Sequence, residues 1–472
     1  MIREFVRKYP VFSALLLMFA ASIPMMILRD WSPSNELRYL SIADEAIADG
    51  KLFAFSNHGI PYADKPPFFL WLVMLCRLIA GSHCSLLLES LLCWVPAAVT
   101  VVVLDRWLCG TAPGIMDTRR RMAAALLTLT SILFLACAVV LRMDMLMTMF
   151  IILSLRSFHI WYTAESDGST YRGRERWLMP IWIFMALFTK GPVGLLMPIA
   201  GIALFLVVEG RWRRIGHYLG FRTWGIIAAF SALWFTGVYL DGGSEYLNNL
   251  LFHQTIDRAV SAFDHKKPFW FYALYIWVVL LPFSPVLVCA WLQSFRAAEG
   301  RSSAERLMAI ASVVTFVMLS CFSSKLFIYL LPICPLVTAM YPMVHDRMGW
   351  KWDWTKPVFI AAGIIAIALP GSCLFMKGIN EKSSYGEFCK AVPSGEDVST
   401  LFIKRAENID VYLGREVTVY DSEDEMLDNW DGGVLAVKIS TLEKEGSVSL
   451  RTRLDSLKHT DVGAFRIYDP LR

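Results

Sequence analysis

The sequence predicts a polytopic α-helical membrane protein with a small soluble α/β domain at its C-terminus. Of its 472 residues, 56% are hydrophobic and 18% are charged, and the mean hydropathy is +0.49. A soluble protein of this length does not need so much apolar side chain, so the composition favours a membrane protein. About eleven apolar stretches have a length near that of a bilayer span. After residue 376 the sequence becomes charged and loses these stretches.

The apolar stretches alternate with arginine-rich loops. A membrane span needs about 20 apolar residues. The predicted spans are 11–29, 84–105, 121–141, 145–162, 177–190, 192–208, 223–240, 269–292, 307–322, 326–344 and 357–376. The positive-inside rule assigns the arginine-rich loops, such as 106–121 and 211–222, to the cytoplasm. The N-terminus is then cytoplasmic, and residues 11–28 form an uncleaved first helix. The polar motifs fall on the extracytoplasmic (periplasmic) side of the cell (inner) membrane.

Two segments of the first outer loop are not expected to cross the membrane: each lies along the outer interface, or dips in and returns. Residues 66–80 contain only about 13 good apolar positions, which is short for a span. Residues 33–49 have apolar residues at helical spacing, with Pro33 at a favourable first helical position and Gly50 as a stop. The first outer loop therefore resembles a pair of interfacial helices, to which a lipid-borne substrate has access.

The sequence divides into a membrane domain, residues 1–376, and a small extracytoplasmic α/β domain, residues 377–472. Within the second, four short strands and one helix are predicted. They are Thr400–Ile403, Glu416–Tyr420, Gly433–Ile439, Ala464–Tyr468 and a helix near Leu450–Leu457.

The polar residues on the outer side indicate phosphate chemistry without a nucleotide. No glycine-rich phosphate loop is present, so no nucleotide cofactor is expected, and no basic patch points to nucleic acid. The outer cations are Arg38, Lys65, Arg142, Lys190, Arg258, Lys266, Lys267 and Lys325, and the carboxylates are Glu36, Asp64 and Asp144. Carboxylates beside several cations suit displacement at a carbon that bears a phosphate, since the cations neutralise the departing group.

Several motifs carry a resemblance to a known family. They are Asn35-Glu36-Leu37-Arg38-Tyr39, Tyr62-Ala63-Asp64-Lys65-Pro66-Pro67, Arg142-Met143-Asp144-Met145-Leu146, Phe188-Thr189-Lys190-Gly191-Pro192 and Ser323-Ser324-Lys325 through Tyr329 to Pro332. Together they resemble the ArnT-like and protein-O-mannosyltransferase branches of the GT-C glycosyltransferases. The resemblance implies a GT-C fold and sugar transfer from a polyprenyl-phosphate donor. The acceptor would be lipid A or another glycolipid, a polysaccharide, or a protein.

The resemblance implies that the first outer loop carries the catalytic carboxylate, but the sequence departs from the family there. The family has Asp-Glu where this chain has Asn35-Glu36, and an amide is not a base at neutral pH. Either Glu36 or Asp144 would then act as base, or an acceptor that is already ionised would need none; an inactive chain is the remaining alternative. Competing structural interpretations are a helix-dipole role for Glu36 and a local ion pair of Asp144 with Arg142.

The remaining site residues are assigned to the donor phosphate or to a metal ion. The predicted phosphate ligands are Lys65, Arg38, Arg258, Lys190, Lys325 and Tyr329. Anchoring at the membrane edge is the competing interpretation for the lysines. In the aminoarabinose transferases, the positions of Asp64 and His253 are implied in contact with a divalent metal, zinc or magnesium/manganese; an ordinary loop histidine is the alternative.

A transporter or flippase of a lipid-linked or small anionic substrate is the alternative function. Ionisable residues in membrane proteins often mark a translocation path. The charges of this chain cluster at one surface, however, and no inverted repeat is visible in the sequence. The glycosyltransferase interpretation is therefore preferred.

Overall fold

The computed structural model describes residues 2–80, 86–166, 170–251, 266–296, 300–393 and 395–469. Helices dominate these ranges. In chain order they are α1 (Ile2–Lys8), α2 (Pro10–Leu28), α3 (Glu36–Asp49), α4 (Phe68–Ala80), α5 (Leu86–Thr111), α6 (Thr118–Leu129), α7 (Ile132–Val139), α8 (Met143–Ala164), α9 (Glu175–Lys190), α10 (Pro192–Val208), α11 (Ile215–Tyr218), α12 (Phe221–Asn248), α13 (Phe271–Val279), α14 (Ser284–Arg296), α15 (Ser303–Cys321), α16 (Ile333–Arg347), α17 (Thr355–Ser372), α18 (Met376–Ser383), α19 (Gly386–Ala391), α20 (Asp410–Leu413), α21 (Glu423–Asn429), α22 (Ile439–Glu445) and α23 (Val448–Asp455).

Every predicted span coincides with helix, but not every helix is long enough to cross a membrane. Over the described residues, seven helices are sufficiently long and apolar, and two bent pairs raise the number to nine. The predicted number of about eleven is higher because α9 and α10 have only 16 and 17 residues. The prediction of a polytopic helical membrane protein is confirmed.

Two predicted spans are broken helices. The segment 121–141 forms α6 and α7, which meet at 71°, and the segment 269–292 forms α13 and α14, which meet at 119°. At the first break, the hydroxyls of Thr130 and Ser131 donate to carbonyls four residues earlier, at 2.7 and 3.0 Å. Such back-bonding competes with the helical ladder and often bends a helix.

The first loop, residues 29–80, contains the two short helices expected from the sequence. Helix α3 begins at Glu36, three residues later than predicted, and ends at Gly50, whose φ of +66° gives the left-handed cap. Helix α4 covers Phe68–Ala80 and ends where predicted. Between them the loop contains a short hairpin, in which the two-residue strands β1 (Ser56–Asn57) and β2 (Ile60–Pro61) pair antiparallel.

The C-terminal part forms a mixed five-stranded sheet. Its strands are β3 (Val398–Leu401), β4 (Thr418–Tyr420), β5 (Val434–Lys438), β6 (His459–Val462) and β7 (Phe465–Tyr468). The order is β4-β3-β5-β7-β6, with β3 parallel to β4 and β5, and β7 antiparallel to β5 and β6. The four predicted strands and the helix α23 are found within about two residues, and β6 was not predicted.

The sheet domain is docked on the first loop through Asp30. The carboxylate accepts hydrogen bonds from Ser384 Oγ (2.6 Å), the Gly386 N–H (2.9 Å) and the Tyr412 hydroxyl (2.5 Å). The Asn380 side chain adds two bonds to the end of α2 and the Asp30 N–H. The C-terminal domain is thus fixed to the same loop that carries α3.

Candidate active site

The centre of the candidate site is the carboxylate of Asp144, in the first turn of α8. It contacts the ammonium of Lys190, the last residue of α9, and lies 3.4 Å from Arg142 Nε. The Asp144 side chain is only 2% exposed, so this cluster has little water around it and its charges interact strongly. Gly191, at φ +89°, ends α9 and turns the chain into α10 at this point.

Aromatic rings enclose the cations of the site. The Lys190 ammonium lies 4.4 Å from the centroid of the Tyr329 ring, and Arg38 lies over Tyr62 at 5.5 Å. Burial raises the pKa of the neighbouring Tyr39 phenol, although Arg142 and Arg38 act in the opposite direction. Tyr39 is therefore a neutral hydrogen-bonding group near neutral pH. The site holds three cations, Arg38, Arg142 and Lys190, against the one carboxylate of Asp144.

Glu36 is completely buried at the first position of α3. Its carboxylate accepts two hydrogen bonds from Arg29, both 2.7 Å, one from the Ser32 N–H at 2.8 Å and one from the Leu141 N–H at 2.7 Å. Each oxygen therefore has two donors. With both oxygens engaged in this way, the carboxylate has no lone pair directed at a substrate.

Arg29 extends this connection to two more elements. Its guanidinium also donates to Ser90 Oγ in α5 (3.3 Å) and to the Val139 carbonyl at the end of α7 (3.2 Å). The pair thus joins the end of α2, the start of α3, α5 and the α7–α8 turn that precedes Arg142. The sequence analysis did not single out Arg29; its position seven residues before Glu36, next to an apolar span, was the available signal.

The other residues of the first loop that were predicted for the site are half-buried and lie next to the ends of α3 and α4. Asn35 precedes α3 as its N-cap, and its amide bonds to no described residue. Asp64 and Lys65 follow the β1–β2 hairpin and precede α4, and both are partly exposed. The adjacent Tyr62 carbonyl accepts a 2.7 Å bond from the Tyr246 hydroxyl, which ties this segment to α12.

Lys325 is also buried, but its ammonium is bonded to the backbone. It donates to the Lys267 carbonyl (3.2 Å) and to the Phe322 carbonyl. These contacts join the segment before α13 to the end of α15, where Lys266 and Ser324 also pair as an isolated β-bridge. Of the two residues predicted on this segment, Tyr329 faces Lys190 and Lys325 closes a chain reversal.

Two predicted residues, His253 and Arg258, lie outside the described residues. Elsewhere, the described ranges contain no group of three His, Cys, Asp or Glu side chains arranged to hold a metal ion. The metal prediction for Asp64 and His253 is therefore not supported by any described donor set, and it stays a proposal. No step of the mechanism below involves a metal.

Sequence comparison gives relatives of about one quarter identity. No family model matches the chain. A protein of Edwardsiella ictaluri, named undecaprenyl phosphate-alpha-4-amino-4-deoxy-L-arabinose arabinosyl transferase, is 25% identical over 327 residues, covering 68% of this chain and 56% of that protein. A protein of the same name from Pectobacterium carotovorum is 26% identical over 369 residues, covering 73% and 62%. The chain thus matches less than two thirds of the length of these relatives.

Solved structures share the fold over nearly the whole chain. ArnT from Cupriavidus metallidurans bound to undecaprenyl phosphate superimposes with a TM-score of 0.73 at 14% identity, covering 98% of this chain and 97% of that one. The Archaeoglobus fulgidus oligosaccharyltransferase, in a complex with zinc and sulfate, gives 0.55 at 13% identity, covering 94% and 70%. The second match shows the same type of membrane fold, and the part of the oligosaccharyltransferase chain beyond the matched 70% has no counterpart in this chain.

The fold and the comparisons define the class: the chain is a multi-pass membrane protein with the GT-C fold. Within this class, its similarity in sequence and in fold is to the ArnT proteins. The resemblance inferred from the motifs of the sequence is confirmed.

Proposed function

We propose that this protein is an integral-membrane glycosyltransferase. It transfers a sugar from a polyprenyl-phosphate donor to a phosphate group of a glycolipid of the lipid A type. The observation that carries the proposal is the positive charge near Asp144: Arg142 and Lys190 contact this buried carboxylate, and Arg38 and Arg142 both act on the neighbouring Tyr39 phenol. Such a site is suited to hold a phosphate group in a place that excludes water.

In the proposed reaction, an oxygen of the acceptor attacks the anomeric carbon of the donor sugar. The bond from this carbon to the donor phosphate oxygen breaks, and its electron pair leaves with the polyprenyl phosphate, which gains one negative charge. The new charge develops beside the cations, and their attraction is stronger in the transition state than in the ground state. Tyr329 and Tyr39 offer hydroxyls for hydrogen bonds, and Asp144 keeps Lys190 and Arg142 in place.

No free carboxylate of the described site is oriented as a general base, and this favours an acceptor that arrives ionised. The Glu36 carboxylate is fully hydrogen-bonded, and Asp144 is paired with two cations. A phosphate monoester is already deprotonated near neutral pH, whereas a sugar or protein hydroxyl needs a base. We therefore assign Glu36 to positioning of the α7–α8 turn.

The remaining sequence assignments belong to this proposal. Lys65 and Arg258 would add to the cations at the donor phosphate, and the outer, periplasmic side of the inner membrane would hold the site and the sheet domain. The location of charge argues against the alternative of a transporter. Over the described helices, Asp144 and its cations lie at one end of α8 and α9, whereas a translocation path needs polar groups along its length.

The test uses the full chain in lipid nanodiscs with a radiolabelled polyprenyl-phosphate sugar donor. Wild-type protein should label lipid A that retains its phosphates and should not label dephosphorylated lipid A. Lys190→Gln should lower kcat/KM by about 100- to 1000-fold, the loss typical of one transition-state donor. The matched control is Lys382→Gln, an exposed lysine of α18, which should keep wild-type activity. Equal activity of the two variants, or equal labelling of both acceptors, would contradict the proposal.

A further inference from the structure

A second cluster of arginines lies at the opposite end of the helices that form the candidate site. Helix α8 runs from Met143 beside Asp144 to Ala164, a length of 22 residues or about 33 Å. Helix α9 begins at Glu175, near the end of α8, and returns to Lys190. The ends of α8 and α10 and the starts of α9 and α12 therefore meet a full helix length away from Asp144.

Three arginines stack on aromatic rings at this end. The Arg222 guanidinium lies 5.2 Å from the centroid of the Trp161 ring and 5.5 Å from that of Trp177. Arg176 lies 5.5 Å from Trp177, and Arg211 lies 4.9 Å from Tyr162. We call these six residues the basic aromatic surface. Stacking on a ring restricts the orientation of a guanidinium group, and all three arginines are partly exposed.

Two acidic residues lie next to this surface, and each accepts hydrogen bonds from groups other than its three arginines. Glu165 accepts bonds from Trp161 Nε1 (2.8 Å), His217 (2.9 Å) and the Tyr218 hydroxyl (3.1 Å). Glu209 forms a two-pronged pair with Arg306, at 2.6 and 2.8 Å. Neither carboxylate neutralises an arginine of the basic aromatic surface.

The arginines themselves have unused hydrogen-bonding capacity. In the described part of the chain, no carboxylate lies within salt-bridge distance of Arg176, Arg211 or Arg222. One buried N–H nitrogen of each has no hydrogen-bond partner: Arg176 Nε, Arg211 Nη1 and Arg222 Nη1. Buried donors are normally satisfied in folded proteins, so each of these arginines retains capacity for a further acceptor.

We propose that the basic aromatic surface binds the phosphate headgroup of an acidic phospholipid in the leaflet opposite the candidate active site. Guanidinium groups bind phosphate oxygens in pairs, and the partly exposed Arg211 and Arg222 form no salt bridge with a described carboxylate. Trp177 is 48% exposed and Phe221, beside Arg222, is 95% exposed. Exposed aromatic rings beside cations are typical of the headgroup level of a membrane, and this identifies a lipid in preference to a soluble anion. Basic surfaces between membrane helices bind such headgroups in other proteins.

The test measures which lipids remain bound when the full chain is released from nanodiscs of mixed phosphatidylglycerol, cardiolipin and phosphatidylcholine. Native mass spectrometry counts the retained lipids. Wild-type protein should retain acidic lipid preferentially, and Arg211→Gln/Arg222→Gln should weaken that retention about tenfold or more. The matched control is Arg106→Gln/Arg296→Gln, which removes the same charge from two exposed arginines of α5 and α14 and should retain acidic lipid as wild type does. Arg222→Lys keeps the charge without the planar fork and should be intermediate.

Three results would overturn the proposal. The first is an equal loss of acidic lipid in the two double variants, which would assign retention to total charge. The second is retention by wild type without preference for acidic lipid. The third is complete displacement of the lipid by millimolar inorganic phosphate, which would identify a soluble anion as the ligand. Each single variant, Arg211→Gln and Arg222→Gln, provides the same readout in a less altered protein.

Discussion

Arg29 and Glu36 form a two-pronged ion pair, in which Nη1 and Nη2 each lie 2.7 Å from a carboxylate oxygen. The pair is nearly inaccessible to water, with side-chain exposures of 10% and 0%. Glu36 occupies one position of the carboxylate pair in the family motif. Its contacts, however, hold neighbouring segments of the chain together. The Leu141 N–H, three residues before Asp144, donates to the same Glu36 carboxylate. The geometry of the Asp144 cluster therefore depends on a pair that lies outside it.

Glu36→Gln is expected to destabilise the protein because it leaves the buried Arg29 charge without its partner. Removal of one member of a buried pair costs about 3–5 kcal/mol, and thermal unfolding in detergent measures the loss. Arg29→Gln/Glu36→Gln should be less destabilised than the two single changes predict together, since both charges are gone.

Activity of the same variants distinguishes a clamp from a base. If Glu36 positions the α7–α8 turn, the double variant should recover part of the turnover that Glu36→Gln loses. No recovery of turnover alongside recovered stability would indicate that Glu36 takes the proton itself. As a matched control for stability, Asp461→Asn breaks a partly exposed two-pronged pair with Arg466 and should cost less than about 1 kcal/mol.

Lys325→Met is expected to affect stability more than donor binding. The ammonium donates to two backbone carbonyls, of Lys267 and Phe322, and its loss leaves buried acceptors unsatisfied at a cost of about 1–3 kcal/mol. The midpoint of thermal unfolding should fall, with the donor KM within about twofold of wild type. A donor KM that rises as strongly as in Lys190→Gln would instead support the role at the donor phosphate that the motif implies for Lys325.

The β1–β2 hairpin of the first loop should loosen at acid pH through Glu45. Burial raises the pKa of this carboxyl, but hydrogen bonds from Ser56 Oγ and the N–H groups of Gly59 and His58 outweigh it, and the pKa lies below its usual value. A lowered folded-state pKa adds stability above the unfolded-state pKa, and this is lost as the pH falls through the folded value. Limited proteolysis within residues 51–61 should accelerate as the pH falls below about 4.5. Glu45→Gln should digest quickly at every pH; a pH dependence equal to that of wild type would contradict this.

Gly242→Ala should displace the segment that follows α3. An added Cβ would lie 2.5 Å from Ala54 Cβ and 2.9 Å from Tyr246 Cβ, and such overpacking costs about 1–3 kcal/mol. Gly225→Ala, on the same helix α12, meets nothing within 4 Å and should be neutral or stabilising by up to about 1 kcal/mol. Thermal unfolding of the pair tests the contact. Equal effects would show that the first loop does not pack on α12 as described.

Much of the architecture could be predicted from the sequence because it depends on local pattern. The apolar length of each segment located the helices, and alternation located β3, β4, β5 and β7 within about two residues. The breaks in 121–141 and 269–292 escaped prediction, since periodicity continues across them. Strand β6, four residues with only one partly buried position, has too few apolar residues to be recognised.

Several residues of the candidate site could be named from the sequence, but the contacts between their side chains could not. The motifs gave Glu36, Asp144 and Lys190, but the 46-residue separation of Asp144 and Lys190 is closed only by the packing of α8 on α9. The partner of Glu36 could not be inferred, because Arg29 resembles an ordinary cation at the end of a span. The resemblance therefore implied a catalytic role for Glu36, whereas its contacts in the structure join segments of the chain.

Asp30 and Glu36 are separated by six residues, and one anchors the sheet domain while the other anchors the turn that leads to Asp144. The sheet domain is therefore not an interchangeable appendage. Exchanging it for the corresponding part of another protein would require a replacement for Ser384, Gly386 and Tyr412 together, or the loop that carries Asp30 and Glu36 would lose its attachment to the sheet domain. Chimeras designed at the boundary near residue 376 should carry residues 30–36 from the same parent as the domain.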